Sequence, residues 1–382
     1  MISHANEASL HRMVTQESVM YHTITKLART LFGTQTTRKT QPVDSRFRPR
    51  LECLEERAVP ANMPIPVTLP GDANVQGTLR WAIETAKNQA GADVIEISPN
   101  LTVSLTSKLD PLAGPLTIKG GGAGSSVVQR STAAGTPDFR IFEIAVGAVV
   151  TIENLRIRNG KILNEGGAIR NAGTLTLDNV RISESQVIGM GSKGGAVFNA
   201  PASMLNVTGS VIINNSAILG GGIANAGSMI ITNSIIIGNR ATQGGGIYTL
   251  QNSSSTLFTT DVEFNQAGSG GGILNGGSFA MSGGRIYQNS AVSGGGGLAT
   301  TGDRPSGWIS QTTLSNVQIT KNSATAVNSK GGGVLLAHGN IDFLSCIVAE
   351  NTAANGASMY YFGAHGTFTQ DNTMFAPPPV NG

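Results

Sequence analysis

Apolar residues recur along residues 161–382 in short alternations, not in helical stripes. One set stands at Ile169, Val197, Ile223, Ile247, Ile273, Leu298 and Val334. A second, entirely β-branched set stands at Ile182, Ile212, Ile236, Val262, Ile286, Ile319 and Val348. Five residues before each of these come Leu177, Val207, Ile231, Leu257, Met281, Leu314 and Phe343, and two residues earlier still Leu175, Leu205, Met229, Ser255, Phe279, Thr312 and Ile341. Each repeat thus holds three short segments of period two, and no segment has helical length.

The first set follows a glycine block: GGAIRN at Gly166, GGAVFN at Gly194, GGGIAN at Gly220, GGGIYT at Gly244, GGGILN at Gly270, GGGLAT at Gly295 and GGGVLL at Gly331. The steps between blocks are 28, 26, 24, 26, 25 and 36 residues. A regular period in the twenties marks a solenoid, whose units bury their apolar faces only against neighbours. Three strands per coil predict an all-β, right-handed parallel β-helix over residues 93–362, with a tail over 363–382. Ten or eleven coils would stack to a length on the order of 50 Å.

Glycines suit corners that need φ > 0 or a close backbone approach. Asn215, Asn239, Asn265, Asn289 and the displaced Asn322 mark an adjacent corner, where an inward amide can satisfy turn carbonyls and its own copies along the stack. The insertions at 304–311 and 324–330 read as loops budding from corners.

Residues 71–97 contain one helix signal: Thr78 as N-cap, then Leu79, Ala82, Ile83 and Ala86 on one face, ending before Gly91. A short helix ahead of the first coil is expected to cover the open end of the core. Thr78-Leu79-Arg80-Trp81-Ala82-Ile83 resembles the CSLREA-type module that opens extracellular β-helix proteins, with the family Cys replaced by Gln76 or Gly77. Arg80 is expected on the wet side of this helix. Residues 62–92 are read as linker and cap.

Residues 1–61 read as a mostly disordered leader or sorting segment, with Ser18 to Phe32 also compatible with a short basic amphipathic helix. Arg46 to Ala61, RFRPRLECLEERAVPA, resembles the LExLEDRxxPA segment of exported planctomycete surface proteins, with Glu56 in place of Asp. That resemblance implies an extracellular or cell-surface location. No run has the length of a transmembrane helix.

The formal charge of +3 hides an asymmetry. Residues 1–60 hold nine Lys/Arg and six Asp/Glu, whereas 161–382 hold nine of each. Without a basic stripe on the repeats, nucleic acid is an unexpected partner. Cys53 and Cys346 are expected as free thiols.

The glycine blocks with their Asn-bearing strands also resemble the repeats of chlamydial polymorphic outer-membrane proteins and related right-handed β-helix surface proteins. No segment resembling a C-terminal barrel accompanies them.

Enzymes that cut or modify polysaccharides need clustered carboxylates, commonly with Lys or Arg. Only Asp261 and Glu263 share a strand and point the same way; three or more carboxylates, or a carboxylate pair facing Lys or Arg, within one groove would overturn a non-catalytic reading. Ala337-His338-Gly339 only partly resembles the GHG of polygalacturonases, and Asp178 with Asn179 is a weak calcium pattern. No catalytic residue, metal or cofactor is assigned. The residues just after the inward aliphatics, among them Phe198, Tyr248 and Leu274, are expected to form an outward apolar strip able to stack on sugars or mate with a protein. The expected function is structural, adhesive or carbohydrate-recognising and non-catalytic, the alternative being a polysaccharide lyase or glycoside hydrolase.

Overall fold

The computed structural model describes residues 63–122, 125–302, 308–363 and 366–381. The leader, with its sorting-type segment and Cys53, lies outside them.

The described chain is a parallel β-solenoid of about 12 turns. In a representative coil, Ile223–Asn225 is followed by Ser228–Thr232 and Ile235–Ile237. Each strand pairs in parallel with its copy one coil on, Ile223 opposite Ile247, Ile231 opposite Leu257 and Ile236 opposite Val262. The pairings assemble into a ten-stranded sheet from the strands after the glycines, a 21-stranded sheet from the other two, and small two- and three-stranded sheets on the remaining side. The residues expected inward are inward: Ile223, Met229, Ile231 and Ile236 are all buried in one continuous core. Burying a side chain of this size contributes roughly 1.5–3 kcal/mol, so every coil is held mainly by its own few aliphatics and their copies above and below.

Two devices set the corners. Gly220 has φ +63, and a β-carbon there would collide with the carbonyl of Ile223. Other left-handed corners face open space and accept Asn233, Phe264 or Lys321. The second device is a buried amide ladder. The Nδ2 groups of Asn215, Asn239, Asn265, Asn289 and Asn322 each donate to the Oδ1 of the next member, ending on Asn351, at 3.0 Å. The same Oδ1 atoms accept the backbone N–H of the preceding member.

A second ladder uses the Asn that ends the glycine block. Asn171 donates to Asn199 and Asn199 to Asn225, each at 2.8 Å, and Asn225 donates to the Ser255 hydroxyl.

The helix Leu79–Lys87 starts at Thr78, whose side chain accepts from the Trp81 N–H, and buries Leu79, Ala82, Ile83 and Ala86. These join Ile65, Val67 and Ile95 in the core. Arg80 does not simply face water: it pairs with Asp72 at 2.6 Å and donates to the carbonyls of Ser107 and Lys108.

The far end differs from expectation. Gly366–Asp371 and Met374–Ala376 pair with Gly339–Leu344 and Ile347–Ala349, so a further coil stands where a tail was expected. Its signal is faint because only Gly356 survives of the preceding block and its apolar members, Phe368 and Phe375, are only partly buried against the core.

Candidate functional site

The strip expected on the outer face exists as a register. Arg170, Phe198, Ala224, Tyr248, Leu274, Ala299 and Leu335 stand opposite one another in successive coils. Its exposure does not match the expectation: Phe198 is 3% and Leu274 4% exposed, while Tyr248 is half-buried. A left-handed glycine four residues earlier brings the chain close to the base of each of these three side chains, Tyr248 included. A β-carbon on Gly270 would lie 2.9 Å from the Leu274 β-carbon. From the other side Ala200 and Ala224 pack with Phe198 into a small second cluster, bordered by Ala172, Ala226 and Leu250. The Lys193 ammonium lies 5.5 Å from the Phe198 ring centre. Burial pushes the Tyr248 phenol above its ordinary pKa.

Asp261 and Glu263 do share a side, and they face a cation. Arg285, one coil on from Asp261, pairs with Asp261 at 3.1 Å and Glu263 at 3.2 Å. Against the pull of its own desolvation, these two carboxylates hold the guanidinium above its usual pKa. Arg285 lies 5.1 Å from the Tyr287 ring centre and Lys321 5.7 Å, with Phe264 edge-on to the same ring. Lys321 in turn approaches Glu350 at 3.7 Å. Two carboxylates, a guanidinium and an aromatic ring thus stand side by side on adjacent coils. As built, the two carboxylates are committed to Arg285, and none of the three lines the grooves below.

Among the described residues no three His, Cys, Asp or Glu side chains come together as a metal site. Asp178 is exposed, and the Asn179 amide donates to Asn154 at 2.7 Å within a corner ladder. His338 is half-buried.

Concave surface lies elsewhere. An open groove of about 900 Å³ crosses five coils at Gln186, Ser216, Arg240, Gln266 and Ser290. Its floor carries Val187, Ala217, Ala241, Ala267 and Ala291, and its rim Ile188, Met190, Ile218 and Val292. A second groove of about 660 Å³ is lined by Ser203, Met204, Ser228, Asn252, Ser254 and Trp308, among others. The Trp308 indole N–H donates to the carbonyl of Gly276. Neither groove was singled out in the sequence, because each depends on loop lengths in several coils at once.

The wide outer face of the large sheet carries Ser228, Ser254, Ser278, Gln311, Asn340 and Thr367 in one row. A parallel row runs Thr256, Ala280, Thr313, Asp342 and Thr369, its polar members interrupted at Ala280. In the first row a polar, uncharged side chain therefore repeats at about 4.8 Å along the stack.

No family model matches the chain, and no curated protein matches it. Among solved structures it is similar to the A-modules of two Azotobacter vinelandii mannuronan C-5 epimerases. For AlgE6 the identity is 14% with a TM-score of 0.40, covering 78% of this chain and 94% of the module. For AlgE4 the identity is 13% with a TM-score of 0.41, covering 83% of this chain and 98% of the module.

Proposed function

We propose that this chain is an exported β-helix that recognises an extended polysaccharide without turning it over, in a structural or adhesive role at the cell surface. The observation that carries this reading is the row Ser228, Ser254, Ser278, Gln311, Asn340 and Thr367: six successive coils offer a hydroxyl or amide at one spacing. A hydroxyl-rich polymer can exchange water for such a row repeatedly, and many weak contacts in register sum to useful affinity. Of the Phe198, Tyr248 and Leu274 strip, which belongs to the ten-stranded sheet, the half-buried Tyr248 supplies a separate aromatic contact in this reading, standing between the buried Ala224 and Leu274. Export rests on the resemblance of Arg46 to Ala61 to a surface-protein sorting segment, and cell fractionation tests it.

Co-sedimentation with a panel of insoluble polysaccharides tests recognition. Wild type is expected to be retained by at least one, and Ser254→Ala/Thr256→Val to be retained several-fold less. Equal retention of the two proteins removes the row as the binding face.

A catalytic reading has one observation in its favour, the Asp261, Glu263, Arg285 and Tyr287 constellation. It requires that Glu263, only 8% exposed at its side chain, be released from Arg285 on substrate binding. Release of unsaturated or reducing ends that disappears in Glu263→Gln would establish it.

A further inference from the structure

We propose that the groove over the Arg240 coil binds an acidic saccharide chain whose carboxylate or sulfate pairs with Arg240, a site that rests on the polysaccharide-recognition reading above. The groove is built by differences in loop length. In the coils of Ser216–Leu219, Arg240–Gln243 and Gln266–Ser269, the two positions that bridge to neighbouring coils are separated by only two residues. On one side the corresponding segment, Gln186–Lys193, has six residues between its bridging positions, and on the other Ser290–Gly294 has three. Three short segments between longer ones make a saddle. Its floor is about 10 Å across, the width of a single sugar chain lying parallel to the strands.

The lining defines the ligand. Ala217, Ala241 and Ala267 keep the floor low, so a ring can approach the backbone closely. The raised ends carry Met190, 97% exposed, and Val292, 56% exposed, which offer apolar surface to the hydrophobic faces of sugars. Gln186 and Gln266 place amides beside the floor for hydroxyls.

Arg240 is the one ionisable side chain among the lining residues, it is exposed, and it forms no ion pair within the described residues. Of the acids in neighbouring coils, Glu165 is engaged with Lys193 and Glu263 with Arg285, while the exposed Glu184 lies outside the lining, two residues before Gln186 and two coils from Arg240. One uncompensated guanidinium in a concave, otherwise neutral surface favours a ligand with a planar or tetrahedral oxyanion, which it can grip with two parallel N–H bonds. A single charge does not suit a polynucleotide, whose every unit needs neutralising.

Affinity electrophoresis of the full chain through gels containing polygalacturonate, chondroitin sulfate or neutral dextran tests the site. Retardation by a carboxylate polymer, a sulfate polymer or both, beyond that by dextran, is expected. Arg240→Gln should weaken it by about tenfold, with Arg240→Lys between the two. Ala241→Trp, at a half-buried position among the lining residues, should fill the saddle and abolish retardation, with a cooperative melting transition showing that the stack remains folded. Retardation by acidic chains that is the same in wild type, Arg240→Gln and Ala241→Trp overturns the site. Equal retardation by dextran and the acidic polymers, insensitive to Arg240→Gln, also overturns it but leaves polysaccharide recognition standing. No retention on any soluble or insoluble polysaccharide removes both.

Discussion

Asn265 shows how much one residue carries in a solenoid. Its amide donates to the carbonyl of Ile236 and to Asn289, and its Oδ1 accepts from both the backbone and the side chain of Asn239. Replacing it with Ala leaves buried partners on both sides without water. Each such group costs about 1–3 kcal/mol, so Asn265→Ala is expected to destabilise the stack by roughly 3 kcal/mol in urea unfolding. A loss below 1 kcal/mol would mean that the ladder is dispensable. This role was legible in the sequence because the Asn recurs at a fixed offset from the glycines. The ladder through Asn171, Asn199 and Asn225 sits inside the glycine block itself, yet its function depends on a neighbouring coil and was not read. The burial of Phe198 and Leu274 was missed for a related reason: alternation tells which face a side chain takes, and only the backbone path of Gly194 and Gly270 tells what lies over that face.

At the scale of elements, the cap couples three stretches of chain. Asp72 accepts from the amide and hydroxyl of Thr106, from those of Ser107, and from Arg80. Although burial works to raise its pKa, the Thr106 amide and the Arg80 guanidinium hold the carboxyl below its ordinary value of 3.8. A depressed folded pKa gives stabilisation that is complete above the unfolded value and is lost as pH falls through the folded one. Amide protection factors in Thr102–Leu105 and the cap helix, taken relative to intrinsic exchange at each pH, should therefore be high at neutral pH and fall below about pH 3.8, ahead of the central coils, and Asp72→Asn should show the low protection already at neutral pH. A uniform fall in protection along the whole stack would contradict a local clamp. The helix, its N-cap and its buried face were readable from local pattern. The clamp was not, since Arg80 meets residues 27 and 28 positions away. The coil at 366–376 was hidden for an opposite reason: its glycine block is reduced to Gly356, and its apolar members Phe368 and Phe375 are few and only partly buried.

For the solenoid as a whole, repetition is the property that function would use. Like residues fall into rows without any long-range code beyond the coil length, which is why strand positions and core were legible while grooves were not. Grooves arise where coils differ, at 187–192 and 291–293 against their short neighbours. The same logic brings Arg285 onto Asp261 and Glu263, an ion-paired staple between adjacent coils that resembles a catalytic cluster in composition. The partly exposed Arg285–Asp261 pair contributes little, about 0–1 kcal/mol, so its presence does not by itself mark a stability need.

The central claim is recognition without turnover. Its most direct measurement is to incubate the full chain with the polysaccharide that retains it, then record the proton NMR spectrum of the recovered polymer alongside the bound fraction. The account predicts a bound polymer whose anomeric signals and chain ends are unchanged. New unsaturated, reducing-end or stereochemically altered signals, absent when Glu263→Gln replaces the wild type, would contradict it.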